Sequence, residues 1–203
     1  DVCVIGGGFT GLSTALHLAK RGYDVRLVEA QRVGFGASGR NGGQVGQGQR
    51  LDQDDLEEKF GFERAKELWT IGTQAVELVR DLARSDMVHA DFHPGIAHAD
   101  HRERFVRHSR EYVEKLNTKY DYPHVRFLPK DEMRSMVNSA SYFGGSLDTR
   151  SGHIDPLELA LGLARMALAA GATLHENSRV SKVETGTKVK IHTDQARITA
   201  DHL

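Results

Sequence analysis

An α/β fold built around a parallel sheet is predicted by three features of this 203-residue sequence. A short apolar run passes straight into a glycine-rich turn and then an amphipathic helix. A second apolar run follows and ends on an acidic residue. Near residue 155 a capped helix again leads into a short apolar segment. Alternating strand and helix patterns of this kind mark βαβ units.

The first unit is explicit. Val2-Cys3-Val4-Ile5 has the continuous apolar character of a strand buried on both faces. Gly6-Gly7-Gly8-Phe9-Thr10-Gly11 fits G-x-G-x-x-G. Leu12, Ala15, Leu16 and Ala19 recur at i, i+3, i+4 and i+7, one face of a helix. Gly22 stands where a helix closes in a left-handed turn. Val25-Arg26-Leu27-Val28 is the next strand, with Glu29 at its end. Cys3, on a buried strand, is a packing residue.

The glycines have separate tasks. Gly6 permits the tight turn out of the strand, Gly8 lets a pyrophosphate approach the backbone, and Gly11 lets the helix pack close to the sheet. The N–H groups at the helix start carry roughly half a positive charge and suit phosphate. Glu29 is placed to accept hydrogen bonds from an adenosine ribose. The fold class is therefore α/β and Rossmann-like, with a dinucleotide as ligand. NAD and FAD folds share this opening.

A second glycine-rich stretch, GFGASGRNGGQVGQGQ, spans Gly34 to Gln49, and seven of its sixteen residues are glycine. A regular nicotinamide-binding domain would continue with further βα units here. Composition leaves two readings open, a flexible linker and a backbone cradle whose N–H groups face a ligand. Ile5 through Glu29, followed by Gly36-Ala37-Ser38-Gly39-Arg40-Asn41-Gly42-Gly43-Gln44, resembles the D-amino-acid-oxidase-type flavoproteins, most of all the gamma-glutamylputrescine oxidase branch. The resemblance covers the whole chain as the N-terminal part of such an enzyme. It implies an FAD-binding domain carrying part of an inserted α+β substrate domain. It favours the cradle, with Ser38, Gly39, Arg40 and Asn41 along the pyrophosphate or ribityl chain, and Gly42, Gly43 and Gln44 beside the flavin ring. Phe9, Thr10 and Ala30 join the expected cofactor contacts, and Val180 is expected to touch adenine through its backbone. Gln44, near flavin N5, is the one candidate for a part in catalysis. Arg40 is assigned to a phosphate rather than to a substrate carboxylate.

The resemblance further implies oxidation of a primary or secondary amine to an imine, with oxygen returning the flavin to its oxidised form as hydrogen peroxide forms. Transfer of electrons to a carrier, and a dinucleotide-binding module without catalysis, stay open as alternatives.

Beyond residue 50, Asp54-Asp55-Leu56-Glu57 has the pattern of a capping box with Asp54 as N-cap. Leu56, Phe60, Leu68, Ala75, Val79 and Leu82 predict one long helix reaching Arg84, bent at Gly61 and Gly72, with Trp69 in its core face. A strand is expected over Asp91–Ala97, a helix over Phe105–Leu116, a short helix from Leu128 and a strand over Tyr142–Leu147. Asp155-Pro156-Leu157-Glu158 opens a helix with N-cap, N1 proline and N3 glutamate, closed by Gly171. Ala172–His175 should rejoin the parallel sheet, and Arg179–Glu184, Val189, Ile191 and Ile198 predict antiparallel strands. Residues 1–85 and 150–203 are expected to form the FAD domain, and 86–149 the first part of the substrate domain. Both ends look like cuts within a longer chain.

Lys plus Arg total 27 and Asp plus Glu 28, a net charge of -1, so no basic surface invites nucleic acid. No apolar run approaches the ~20 residues of a membrane span. The single cysteine fits a reducing, cytoplasmic setting. His89, His93, His98 and His101 fall within thirteen residues but match no tetrahedral zinc spacing, so no metal is expected. His153 has two readings, a catalytic base or, as the resemblance suggests, a structural junction re-entering the flavin domain.

Overall fold

The helix face and glycine turn of the first thirty residues fold as their pattern requires. In the computed structural model, which describes residues 1–203, β1 (Val2–Ile5), α1 (Phe9–Ala19) and β2 (Val25–Val28) form the βαβ opening. β1 and β2 pair in parallel from Val2↔Val25 to Ile5↔Val28. Leu12, Ala15, Leu16 and Ala19 are the buried face of α1. Gly22 takes φ +88° and its N–H closes the helix onto Ala19 O at 2.9 Å.

The chain divides into two compact units, Asp1–Gly43 with Asp81–Asp91 and Asp155–Leu203, and Gln44–Arg80 with Phe92–Ile154. These cuts differ from the sequence boundaries. Residues 44–80 pack with 92–154 rather than with the first βαβ unit, and 150–154 stay with the second unit. The first cut falls in the glycine-rich stretch, and another falls inside a helix where no change of composition marks it.

In the first unit, α6 (Pro156–Ala169) and β7 (Thr173–His175) extend the parallel sheet to the order β1-β2-β7. Asp155 caps α6, its Oδ1 accepting the N–H groups of Leu157 and Glu158, both at 2.9 Å. Gly171 at φ +100° follows the helix. β8 (Val180–Glu184), β9 (Val189–Thr193) and β10 (Arg197–Ala200) form an antiparallel sheet. Cys3 and Val28 pack with Ile191 and Ala200 of that sheet. Burial pushes the Cys3 thiol up, against a small opposing pull from Arg26. Past β10 the chain runs beside β1, with a parallel bridge Val2↔His202.

In the second unit β6 (Gly144–His153) is central. β4 (His93–Ala99) lies along one edge, and β5 (Val125–Pro129) and β3 (Gln44–Val45) pair in turn along the other. The β5 strand replaces the first residues of the helix expected at Leu128, and that helix, α5, spans Lys130–Val137. The N-cap expected at Asp54 is instead Asp52, whose Oδ1 accepts Asp55 N–H at 3.0 Å. Asp54 faces Lys115 of α4 (Glu103–Lys119) as an ion pair, which Glu57 shares at 3.0 Å. The expected long helix is two. α2 (Gln53–Phe60) ends at Gly61, φ +79°, and α3 (Phe62–Ala83) begins one residue on. Trp69 belongs to the core, packed edge-on against Tyr120 and Tyr122 with ring centroids 5.7 and 5.2 Å apart.

Gly72 is a contact point within the unbroken α3. A Cβ there would stand 2.9 to 3.0 Å from the backbone N, O and Cα of Gly48. Gly72→Ala is therefore expected to destabilise the second unit by about 1–3 kcal/mol, since backbone on backbone has no soft partner to yield. Chemical denaturation of the variant against wild type checks this.

Candidate cofactor-binding site

The glycine turn is shaped from three sides. Gly6 takes φ +106°, and its N–H donates to Val28 O at 2.8 Å. Glu29 closes the turn from the strand end. Its Oε2 accepts Gly7 N–H at 2.7 Å and its Oε1 accepts Gln31 N–H at 2.8 Å. The second glycine-rich segment closes it from the far side. Phe9 N–H donates to Ser38 Oγ at 3.0 Å, and Gly34 N–H donates to Gly7 O at 3.0 Å. Two segments some thirty residues apart thus meet around the start of α1.

Close approach requires glycine at two of these positions, against backbone, and favours it at a third, against a side chain. A Cβ at Gly11 would lie 2.0 Å from Gly6 O, one at Gly39 2.2 Å from Gly34 O, and one at Gly8 2.9 Å from Ser38 Oγ. Gly8 is the N-cap of α1 and offers no side chain to the helix, and the first turn carries no acidic residue. The positive end of the helix is left for an outside anion. Among the expected contacts, Gly6, Gly8, Phe9, Gly11, Glu29, Ser38 and Gly39 come together here. Thr10 is exposed in the first turn of α1, and Ala30 is half-buried after Glu29.

The rest of the second segment is arranged by its own side chains. Ala37–Gly39 is a short 3-10 turn. Asn41 Nδ2 donates to Ala37 O and Ser38 O, both at 3.0 Å, and Asn41 Oδ1 accepts Gly43 N–H at 2.8 Å. Asn41 therefore fixes the loop that carries Ser38. The Arg40 guanidinium lies 4.3 Å from the Phe35 ring centroid, a cation–π contact. Gly42 is exposed and Gly43 takes φ +73°. Val180 opens β8 and packs on the cluster of Cys3, Val28, Ile191 and Ala200. Gln44 belongs to the second unit, where it pairs with His153, and His153 pairs in turn with His93. The two imidazoles stack with centroids 5.0 Å apart.

One clamp on the site escaped sequence reasoning. Glu176 Oε1 accepts Val33 N–H at 2.8 Å, Asn177 N–H donates to Gln31 O at 2.8 Å, and Ser178 N–H donates to Glu29 O at 2.8 Å. The turn after β7 thus holds the backbone that bears Glu29. Its only signal in sequence is a polar Glu-Asn-Ser triplet closing a predicted strand.

An uncapped helix start, a bare Gly8 and a strand-end carboxylate together fit the pyrophosphate and ribose of a dinucleotide. Residues 1–203 match DAO, the FAD dependent oxidoreductase family. The chain belongs to the DAO family of FAD-dependent oxidoreductases. It is 43% identical over 202 residues to the probable oxidoreductase OrdL of Rhizobium meliloti (strain 1021), covering 99% of this chain and 47% of that protein. It is 36% identical over 206 residues to gamma-glutamylputrescine oxidoreductase of Escherichia coli (strain K12), covering 100% of this chain and 47% of that protein. Among solved structures, glycine oxidase from Bacillus cereus ATCC 14579 superposes with a TM-score of 0.75 at 26% identity, over 99% of this chain and 54% of that one. Glycine oxidase from Geobacillus kaustophilus gives a TM-score of 0.81 at 22% identity, a likeness of fold. The chain spans about half the length of the curated relatives it matches, each covered to 47%. The family is the one the sequence resembles, and FAD is the dinucleotide. No helix is long and apolar enough to cross a membrane.

Proposed function

We propose that this chain is the FAD-holding part of an enzyme that oxidises amines. The observation that carries the reading is the meeting of Phe9 N–H with Ser38 Oγ at the uncapped start of α1. Bound FAD would supply hydride acceptance from the carbon beside the substrate nitrogen, giving an imine for water to hydrolyse, with oxygen as the final electron acceptor and hydrogen peroxide as its product. The pyrophosphate lies at the start of α1, against the backbone of Gly8 and Thr10, while Phe9 N–H stays on Ser38 Oγ and ties the second glycine-rich segment to that start. Glu29 takes a ribose hydroxyl on lone pairs beyond those that accept Gly7 and Gln31. Ser38, Gly39, Arg40 and Asn41 follow the phosphate and ribityl chain. Gly42, Gly43 and Gln44 lie along the ring, and Ala30 and Val180 line the adenosine end. The strands β3 to β6 begin a substrate-binding domain. The substrate is a small primary or secondary amine, either an amino acid or a gamma-glutamylated amine, the class that the relatives' names describe.

The full-length protein should be yellow, and amino acids, polyamines and their gamma-glutamyl derivatives should be screened for peroxide release. Dye reduction without peroxide would move the acceptor from oxygen to an electron carrier. A yellow protein that oxidises no amine under either assay overturns the activity. Gln44→Ala is expected to lower kcat at least about tenfold, or ~1.4 kcal/mol of barrier, while FAD content is unchanged. Turnover equal to wild type removes Gln44 from the ring.

A further inference from the structure

Phe35 is an apolar ring with no place in the core. It is 49% exposed, although it lies in the segment that closes the glycine turn. Its partner is Arg40, whose guanidinium carbon stands 4.3 Å from the ring centroid. The Arg40 side chain makes no hydrogen bond and no ion pair within the protein.

Backbone contacts tie both residues to the cradle. Gly34 N–H, one residue before Phe35, donates to Gly7 O at 3.0 Å. Ser38, two residues before Arg40, accepts Phe9 N–H on its Oγ at 3.0 Å. Between these anchors, Phe35 N–H donates to Arg32 O at 3.0 Å, Gly39 N–H to Gly36 O at 3.3 Å and Arg40 N–H to Ala37 O at 3.2 Å. Ring and guanidinium thus meet across a short turn that is pinned twice to the glycine turn and the start of α1.

An aromatic face attracts a guanidinium through its quadrupole and offers no lone pair to the N–H groups. All five donors of Arg40 are left for an acceptor from outside. An arginine free in solvent samples many rotamers and loses that freedom on binding. A contact that restricts it beforehand makes the loss smaller. A carboxylate could restrict Arg40 too, but its charge would repel a phosphate. The Phe35 ring restricts it without adding negative charge.

We propose that Phe35 is a positioning residue that holds the Arg40 guanidinium beside the glycine turn for a phosphate of FAD. The inference rests on the assignment of Arg40 to a phosphate and adds the residue that keeps it there.

The test titrates FAD into the full-length protein freed of its flavin, read by quenching of flavin fluorescence. Arg40→Ala should weaken the Kd at least about tenfold, the loss of a charge-assisted contact. Phe35→Leu keeps an apolar side chain but removes the π face, and should weaken it about three- to fivefold. Phe35→Tyr restores the face and should bind FAD as wild type does. In the Arg40→Ala background Phe35→Leu should add nothing, since the ring then has no cation to hold. An equal loss from Phe35→Leu with and without Arg40 would mean that the ring acts on the loop itself, and overturns the inference. So does Phe35→Leu binding FAD like wild type while Arg40→Ala does not. Wild-type binding by Arg40→Ala strikes instead at the phosphate assignment underneath, and Phe35 falls with it.

Discussion

Gly11→Ala should strip the full-length protein of FAD and lower its stability by more than about 3 kcal/mol, above the usual range for overpacking. The added Cβ would stand 2.0 Å from Gly6 O and 3.3 Å from Val4 Cγ1. Neither neighbour can yield cheaply. Gly6 O belongs to the turn that forms the cradle, and Val4 lies on β1. Relief requires α1 to move off the sheet, and with it the N–H groups at its start. For a domain of this size the loss corresponds to a fall in Tm of roughly 6–12 °C. Gly171→Ala is the control. It lies in the first unit just past the end of α6, at φ +100°, with nothing within 4 Å of its Cβ, so it should cost about 1–2 kcal/mol through backbone strain and keep the flavin. Flavin absorbance and thermal denaturation of the two variants decide the matter. A Gly11→Ala protein with full FAD content would mean that helix–strand contact is not what shapes the cradle.

Why Gly11 was legible in the sequence and Glu176 was not is a question of range. The βαβ opening rests on local codes. An apolar run, a helix period and a glycine at each turn all agree, and the register Val2↔Val25 follows from them. The α6 start is local too, since Asp155 caps within three residues of itself. Where the local code is degenerate, the assignment slips. Asp52, Asp54 and Asp55 all suit an N-cap, and only the placement of Lys115, on another helix, engages Asp54 and leaves the cap to Asp52. Val125–Pro129 looks like the approach to a helix because Lys130-Asp131-Glu132 is a strong helix opening. Its strand character is set by pairing with β6, almost twenty residues away. The Glu176 contact with Val33 N–H spans 143 residues, and no pattern in either segment announces it. The division of the chain is illegible for the same reason. Residues 44–80 join 92–154 through contacts such as Trp69 against Tyr120 and Tyr122, which no composition shift marks. Within the site, sequence identifies which residues have bare backbone, and structure adds what holds them. Asn41 braces its own loop, and Glu29 ties the turn to the chain beyond the strand.

Gly39→Ala separates the two halves of the cradle. Its Cβ would fall 2.2 Å from Gly34 O and 3.1 Å from Leu157 Cδ1. Gly34 sits at φ +71° and its N–H donates to Gly7 O, so pushing Gly34 away pulls on the first glycine turn directly. Ser38, one residue before, would lose its place against Phe9 N–H. The affected residues form an exposed or half-buried 3-10 turn rather than the buried face of α1. The loss of fold should therefore be smaller than for Gly11→Ala, and the loss of cofactor comparable. A hundredfold weaker Kd for FAD is expected, or ~2.7 kcal/mol. Ser38→Ala sets the scale, because it removes one hydrogen bond worth about 1 kcal/mol and frees Phe9 N–H to face phosphate without displacing any backbone. If Gly39→Ala holds FAD as tightly as wild type while Gly11→Ala does not, the phosphate is held by the first turn alone and the second glycine-rich segment only braces it. If both release the flavin, the two segments grip one ligand, and backbone spacing at Gly39 is as much a part of the cofactor site as the helix start is.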